Sequence, residues 1–307
     1  MSGRRTLWLA CTAGITLIAA ALRRWQLRSA FEEYTGLAIP GAQASVVLTC
    51  ILVIAGAGFA ILSLVGRSLP EQTRWDRVFL LTGGPVYPVL EIAAAFFAIA
   101  AVPALFMVGV GQFQIYQDAV TAGYQPPTDN GLLTLATAAG AFLAALGLLQ
   151  TGRDSLHPGR RGRGGFSIVL PGVAGCIWLM ESFRSHAANP VLWDYAPQLL
   201  ASVLGMAFYM DFSGMSSDAA KPRRLLWTAG MTVAFSAVAL VTAASELAAR
   251  SDAGLSLYCA QTGDLLLLLS QMLAAAGVLW QLPPSLDSSP DPSPEPIQEI
   301  QEDTDDE

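Results

Sequence analysis

An aspartate lies inside the last apolar run of the chain, in the stretch YCAQTGDLLLLLSQM. Asp264 is about nine residues into the expected helix, which places it roughly 13 Å from the helix start. Gln261 and Thr262 precede it, and no Lys or Arg is near it in sequence. A carboxyl group at this depth is costly in a membrane and marks a functional site by default. We therefore expect an intramembrane polar site of Asp264, Gln261 and Thr262. The alternative is a protonated carboxyl group that another helix satisfies by hydrogen bonding.

A second polar group lies in the stretch CIWLMESFRSHAANPVLWDYAPQLL, between the fifth and sixth apolar runs. Glu181, Arg184, His186 and Asp194 are the candidate residues of an outer rim site there. Arg184 can pair with Glu181 because residues three apart share a helical face. A simple interfacial turn between two membrane helices is the alternative, and it explains most of the cluster.

Aromatic residues flank this turn. Trp178, Trp193 and Tyr195 have the placement of an aromatic belt, in which amphipathic rings lie at the membrane–water interface.

Known catalytic and metal-binding patterns are absent from the sequence. The chain has two histidines and four isolated cysteines, without an H-E-x-x-H or C-x-x-C motif, so we expect no metal site and no cofactor. Aspartyl intramembrane proteases need G-x-G-D, whereas Gln261 stands where the first Gly belongs. Their second aspartate must lie close to the first, and Asp211 is expected at the opposite end of the bundle. The sequence therefore favours a protein that is not an enzyme.

Eight apolar runs must position these residues. Hydrophobic residues make up 53% of the 307, and charged residues only 13%. A helix needs roughly 20 apolar residues to cross a bilayer, and a spanning segment must satisfy its own backbone hydrogen bonds. The sequence predicts an all-α, polytopic integral membrane bundle of eight transmembrane helices, within residues 1–282 and surrounded by lipid. The runs are 6–22, 43–66, 86–110, 131–150, 166–183, 195–213, 225–247 and 256–281.

Other acidic residues lie nearer the ends of these runs. Glu91 follows Pro88 at the start of the third run, Asp211 ends the sixth and Glu246 ends the seventh. Each is expected to reach water.

The distribution of basic residues predicts the orientation. With the N-terminus in the cytoplasm, twelve of the 17 basic residues lie on the cytoplasmic side and five outside. Arg23 and Arg24 are exceptions that can snorkel from the end of the first helix. The segment 111–130 is expected as an outside loop because it has no basic residue. The basic segment 151–165 lacks the end of a P-loop and is expected as an inside loop that binds no nucleic acid.

The composition changes abruptly at Pro283. Residues 283–307 contain nine acidic residues, six prolines and no basic residue. Such a segment buries too little apolar surface to fold. We expect a disordered cytoplasmic tail, which is either a solvated end or a docking segment for a cytoplasmic partner.

The segment FRSHAANPVLWDYAPQLLASVLGMAFYMDFSG and the GDLLLLL helix resemble a group of uncharacterised multi-pass membrane proteins of gut Firmicutes. The resemblance covers about a third of the chain. It implies a membrane protein of about eight helices and implies no activity. Sixteen Arg against one Lys also suit a GC-rich bacterium.

The leading functional hypothesis is a transporter-like protein of the bacterial plasma membrane that moves a small solute or a proton-coupled substrate. The alternative is a scaffold or sensor whose acidic tail binds a cytoplasmic partner. An intramembrane hydrolase ranks third. A transporter requires a polar pathway that reaches Asp264, whereas a scaffold requires none.

Overall fold

Helices are the only regular secondary structure in the described part of the chain. The computed structural model describes residues 3–32, 37–64, 85–127, 129–156, 164–186, 192–215, 221–249 and 255–285. These residues form eight α-helices and no β-strand, which confirms the all-α prediction. Their bounds follow the apolar runs within four residues, except at the ends of α1, α3 and α4, which extend six to eleven residues further. The helices are α1 Gly3–Ser29, α2 Gln43–Leu64, α3 Val86–Thr121, α4 Leu132–Leu156, α5 Gly164–His186, α6 Leu192–Gly214, α7 Pro222–Ala249 and α8 Leu255–Ser285.

Six of the helices, α3 to α8, form a closed ring. Each packs against the next in chain order, and α8 returns to pack against α3. Helices α1 and α2 lie outside this ring, where both contact α7. Consecutive helices run in opposite directions, so the C-terminal ends of α3, α5 and α7 lie beside the N-terminal ends of α4, α6 and α8. We call this the rim end of the ring.

The helices are suited to insertion into a membrane. Six of them, α1, α2, α3, α4, α7 and α8, are long and apolar enough to cross a bilayer. Their outer faces expose large apolar side chains, such as Val53, Ile54 and Ile61 of α2, which are between 62% and 66% exposed. A water-soluble protein rarely exposes such a continuous apolar face, since its contact with water is unfavourable.

Helix α3 is longer than its apolar run. It continues through Thr121, so the prediction that residues 111–130 form a loop is wrong for the first eleven of them. After Gly111 the segment contains no Gly or Pro until Gly123, which has a φ of +74° and follows the helix end. Its polarity therefore reflects exposure of the helix rather than loss of helical structure.

Arg23 does not snorkel towards the surface. It is 0% exposed, and its Nε donates to the Thr242 hydroxyl of α7 over 2.9 Å. One of its terminal nitrogens donates to Gln26 Oε1 over 2.6 Å. Arg23 thus joins α1 to the ring through α7, whereas Arg24 is exposed as expected.

The C-terminal helix passes the expected domain boundary. Helix α8 ends at Ser285, three residues after Leu282. Residues 286–307, which carry the acidic composition, lie outside the described residues, as do residues 157–163 of the basic segment 151–165.

Candidate functional site

Asp264 is held by side chains from two other helices. Trp178 of α5 donates from Nε1 to Asp264 Oδ1 over 3.0 Å. Gln198 of α6 donates from Nε2 to Asp264 Oδ2 over 2.9 Å. Each carboxyl oxygen therefore has a neutral donor, and the group is fixed in orientation at the rim end of the ring.

Glu181, predicted as part of the separate outer rim, lies beside Asp264. It is close enough to interact electrostatically with Asp264 and with Asp129 of the α3–α4 connection. Its Oε1 is 3.5 Å from the Thr134 hydroxyl. That hydroxyl has a single proton and lies nearer to Gln112 Oε1, at 3.0 Å. The predicted intramembrane site and part of the predicted rim site are therefore one cluster.

Two neighbouring carboxyl groups have a definite chemistry. Two negative charges repel each other, so such a pair favours binding of one proton or one cation over full ionisation. The cluster draws on α3, α4, α5, α6 and α8, so a small relative movement of these helices would change the separation of the charges. This arrangement can capture and release a cation.

Trp178 is not part of an aromatic belt. It is 5% exposed and points into the ring, where its indole N–H contacts Asp264. A buried indole N–H needs an acceptor, and the carboxyl group supplies one. Sequence reasoning missed Trp178 and Gln198 as partners of Asp264 because they lie 86 and 66 residues from it.

The remaining candidate residues are distributed around the same end. Gln261 donates from Nε2 to Glu246 Oε2 of α7 over 3.1 Å, and so contacts a different carboxyl group from Asp264. Thr262 is half-buried on α8. Arg184 is exposed near the end of α5, and its pairing with Glu181 stays a prediction. The side chains of two candidates lie outside the described part of the structure, namely those of His186 and Asp194.

A small cavity lies inside the ring next to this cluster. Its volume is about 30 Å³, enough for one or two water molecules. Trp178 forms part of its wall, so the cavity begins at the residue that donates to Asp264. Its other polar lining residues are Thr137, Tyr209, Ser270 and Gln271.

Gln271 forms the cavity wall between α6 and α8. Its Nε2 lies 2.8 Å from the Ser236 hydroxyl and 3.2 Å from the Ala201 carbonyl. Gly205 makes room for this side chain, because a Cβ at that position would collide with the Gln271 amide. The polar interior thus depends on a glycine in the facing helix.

Glu91 was expected to reach water, but its side chain is buried. It is 0% exposed, because its side chain points across the ring towards α4 and α8 rather than along α3. Gly152 of α4 and Gly277 of α8 face it, and a Cβ on Gly277 would lie 3.5 Å from Glu91 Oε1. The prediction failed because sequence position sets the depth of a residue along a helix but not its direction.

Asp211 and Asp264 lie far apart in the direction of the helix axes. Asp211 Oδ1 pairs with Arg224 Nε over 2.9 Å, and Thr228 donates to its Oδ2 over 3.2 Å. Asp211 follows Gln198, the contact of Asp264, by thirteen residues on α6, which is about 20 Å. The two aspartates are therefore placed too far apart to act as a catalytic dyad.

Among the residues that the structure describes, no group of three His, Cys, Asp or Glu side chains could hold a metal ion. The chain matches no protein-family model, no curated protein and no solved structure.

Proposed function

We propose that this protein is an eight-span membrane protein that carries a small solute through the ring in exchange or in symport with protons. The observation that carries this proposal is the meeting of Asp264 and Glu181 from two helices, beside a cavity inside the ring. A scaffold would not require two carboxyl groups to converge in a membrane interior, where isolated charges are expensive.

In this proposal α5 and α6 also cross the membrane. These helices are 23 residues long each, and they close the ring between α4 and α7. A helix of that length measures about 34 Å, enough for a bilayer core of roughly 30 Å. With eight crossings both termini share one side, and the basic residues favour the cytoplasmic side of a bacterial plasma membrane.

The orientation can be tested by cysteine labelling in cells. The four native cysteines, of which Cys50 is exposed, are first replaced by serine or alanine. A membrane-impermeant maleimide should then label a cysteine placed at Gln125 and fail to label one placed at Gly162. The reverse pattern would contradict the orientation.

Transport is tested in proteoliposomes that contain the full chain and a pH-sensitive dye. Amines, amino acids, sugars and carboxylic acids are added in turn outside, and the internal pH is followed. We expect at least one solute class to move protons with the wild-type protein. Asp264→Asn and Glu181→Gln should abolish this proton movement, because an amide side chain does not take up a proton near neutral pH.

Glu246→Gln is the matched control. Glu246 is a carboxyl group at the same end of the ring, and it accepts a hydrogen bond from Gln261. Its variant should transport as the wild type does. Equal proton movement by wild-type, Asp264→Asn and Glu181→Gln proteins would exclude the carboxyl pair from transport. A cellular function that is lost when the tail, residues 283–307, is removed, together with no proton movement by the wild type, would favour the scaffold.

An intramembrane hydrolase is the second candidate, because Glu181 and Asp264 form an acidic pair of the kind that hydrolysis by a shared proton requires. The same purified proteins distinguish the two functions. Cleavage of a reconstituted transmembrane peptide that is lost in both Asp264→Asn and Glu181→Gln would support the hydrolase.

A further inference from the structure

Glu91 has no place in the site described above, yet it is the most deeply buried carboxyl group of the ring. It is 0% exposed. In the described part of the chain, no hydrogen bond of good geometry reaches either of its oxygens. A charge in such surroundings is strongly unfavourable unless it is paired. Glu91 is therefore best accommodated with a proton, and its retention in an apolar interior needs a reason.

The groups that face Glu91 come from four helices. Tyr87, one turn earlier on α3, interacts with the carboxyl group through its hydroxyl. Tyr209 of α6 lies close enough to interact with it electrostatically. Helices α4 and α8 present Gly152 and Gly277, which bring no titratable group. The titratable neighbours among the described residues are thus two tyrosine hydroxyls, and of these two tyrosines only Tyr209 also lines the cavity.

Tyr209 also faces the cavity. Its hydroxyl is hydrogen-bonded to Ser270, and the Ser270 hydroxyl donates to the Ala94 carbonyl of α3 over 2.8 Å. Both Tyr209 and Ser270 line the cavity, together with Trp178. Polar groups therefore follow one another from Trp178, which donates to Asp264, along the cavity wall to Ser270 and Tyr209, and Tyr209 is near Glu91. We call these groups the polar row.

The row covers most of the thickness of a membrane. Gly277, which faces Glu91, follows Asp264 by thirteen residues on α8, so the two carboxyl groups lie about 20 Å apart along the helix. A bilayer core is roughly 30 Å thick. The separation of Asp264 and Glu91 is thus about two thirds of a bilayer core thickness.

We propose that Glu91 is a second proton-carrying site, which exchanges protons with the Asp264–Glu181 pair through Tyr209, Ser270 and water in the cavity. In each transfer an O–H bond of the donor acid breaks and an O–H bond forms on the next oxygen. Each hydroxyl or water releases one proton as it receives another. The sum is one proton moved from one carboxyl group to the other, with no change of oxidation state.

This inference rests on the proposed proton coupling, but its test does not need a transported solute. Purified full-length protein in detergent is moved from H₂O to D₂O, and the C=O stretch of protonated carboxyl groups is followed by infrared spectroscopy. The band lost in Glu91→Gln belongs to Glu91. We expect its deuterium shift to be rapid in the wild type and at least tenfold slower in Tyr209→Phe.

Tyr87→Phe is the control, because Tyr87 neighbours Glu91 but does not line the cavity. It should leave the exchange rate within about twofold of the wild type. Elution volume and melting temperature establish that each variant is folded, and Glu91→Asp restores a carboxyl band if Glu91→Gln does not fold. Two results would overturn the proposal: no protonated carboxyl band assignable to position 91, or equal exchange rates in the wild type and Tyr209→Phe.

The outcomes separate this inference from the transport proposal. Slow exchange in Tyr209→Phe together with no solute-driven proton movement would support the proton row and contradict the transporter. Solute-driven movement that survives Glu91→Gln would support the transporter and contradict a role for Glu91 in it.

Discussion

Two carboxyl groups inside one ring of helices differ in how the protein accommodates them. Asp264 receives hydrogen bonds from an indole and an amide, at 3.0 and 2.9 Å. Glu91 is fully buried, and no described group offers it a hydrogen bond of good geometry. Asp264 is thus an acceptor on which other buried groups depend, whereas Glu91 is a group that the fold only tolerates.

This difference changes what a substitution measures. Removing an acceptor leaves its donors buried and unsatisfied, which costs the full desolvation free energy of those donors. Removing a buried polar group that accepts no hydrogen bond of good geometry strands no such donor. Apolar substitution should therefore destabilise the protein at Asp264 and leave its stability equal or higher at Glu91.

The largest effect is expected for Asp264→Leu. The variant strands the N–H groups of Trp178 and Gln198, at about 1–3 kcal/mol for each donor. The free energy of unfolding, measured by denaturation in detergent, should fall accordingly. Asp264→Asn keeps one carbonyl acceptor and should lose less than half as much. A leucine variant as stable as the wild type would remove the contrast with Glu91.

A smaller loss is expected when one donor is removed and the acceptor stays. Trp178→Phe takes one of two hydrogen bonds from Asp264 and should cost about 1–2 kcal/mol. Trp227→Phe is a matched control, since the Trp227 indole donates to the Gly56 carbonyl over 2.9 Å, and this acceptor is not a carboxyl group. Both should lower the melting temperature similarly, but only Trp178→Phe should alter the pH dependence of proton uptake. An identical pH dependence would contradict a role for Trp178 at the site.

Much of this architecture is predictable from the order of apolar residues, and the site is predictable only in part. The lengths of the eight apolar runs, together with the need to satisfy backbone hydrogen bonds, predict the positions of all eight helices. The depth of Asp264 singles it out as well. Trp178 and Gln198 escape prediction because a helix pairing brings them to Asp264 from distant parts of the chain.

The direction of side chains is the second limit. Glu91 and Arg23 both lie near helix ends, where sequence position suggests access to water, yet both are 0% exposed. The glycines that make space for Glu91 lie on α4 and α8. A single sequence does not reveal that these positions face each other, because that depends on the rotation of each helix about its axis.

The smallest and most discriminating effect is expected for Glu91→Met, which replaces the carboxyl group by an apolar side chain of similar length. No hydrogen bond of good geometry is lost, and the cost of burying a carboxyl group disappears. The free energy of unfolding should stay equal to that of the wild type or rise by about 1 kcal/mol. Proton exchange at position 91 ends in the same variant.

The comparison needs a variant that separates polarity from packing. Glu91→Ala removes the same carboxyl group and also leaves a void between α3, α4 and α8, so it should be less stable than Glu91→Met. If Glu91→Met were destabilised as strongly as Asp264→Leu, Glu91 would be a structural acceptor like Asp264, and Tyr87 would be the donor that it satisfies. If Glu91→Met is as stable as the wild type, stability does not account for a carboxyl group at this position. The proton that Glu91 carries would then explain why a buried carboxyl group is present at this position.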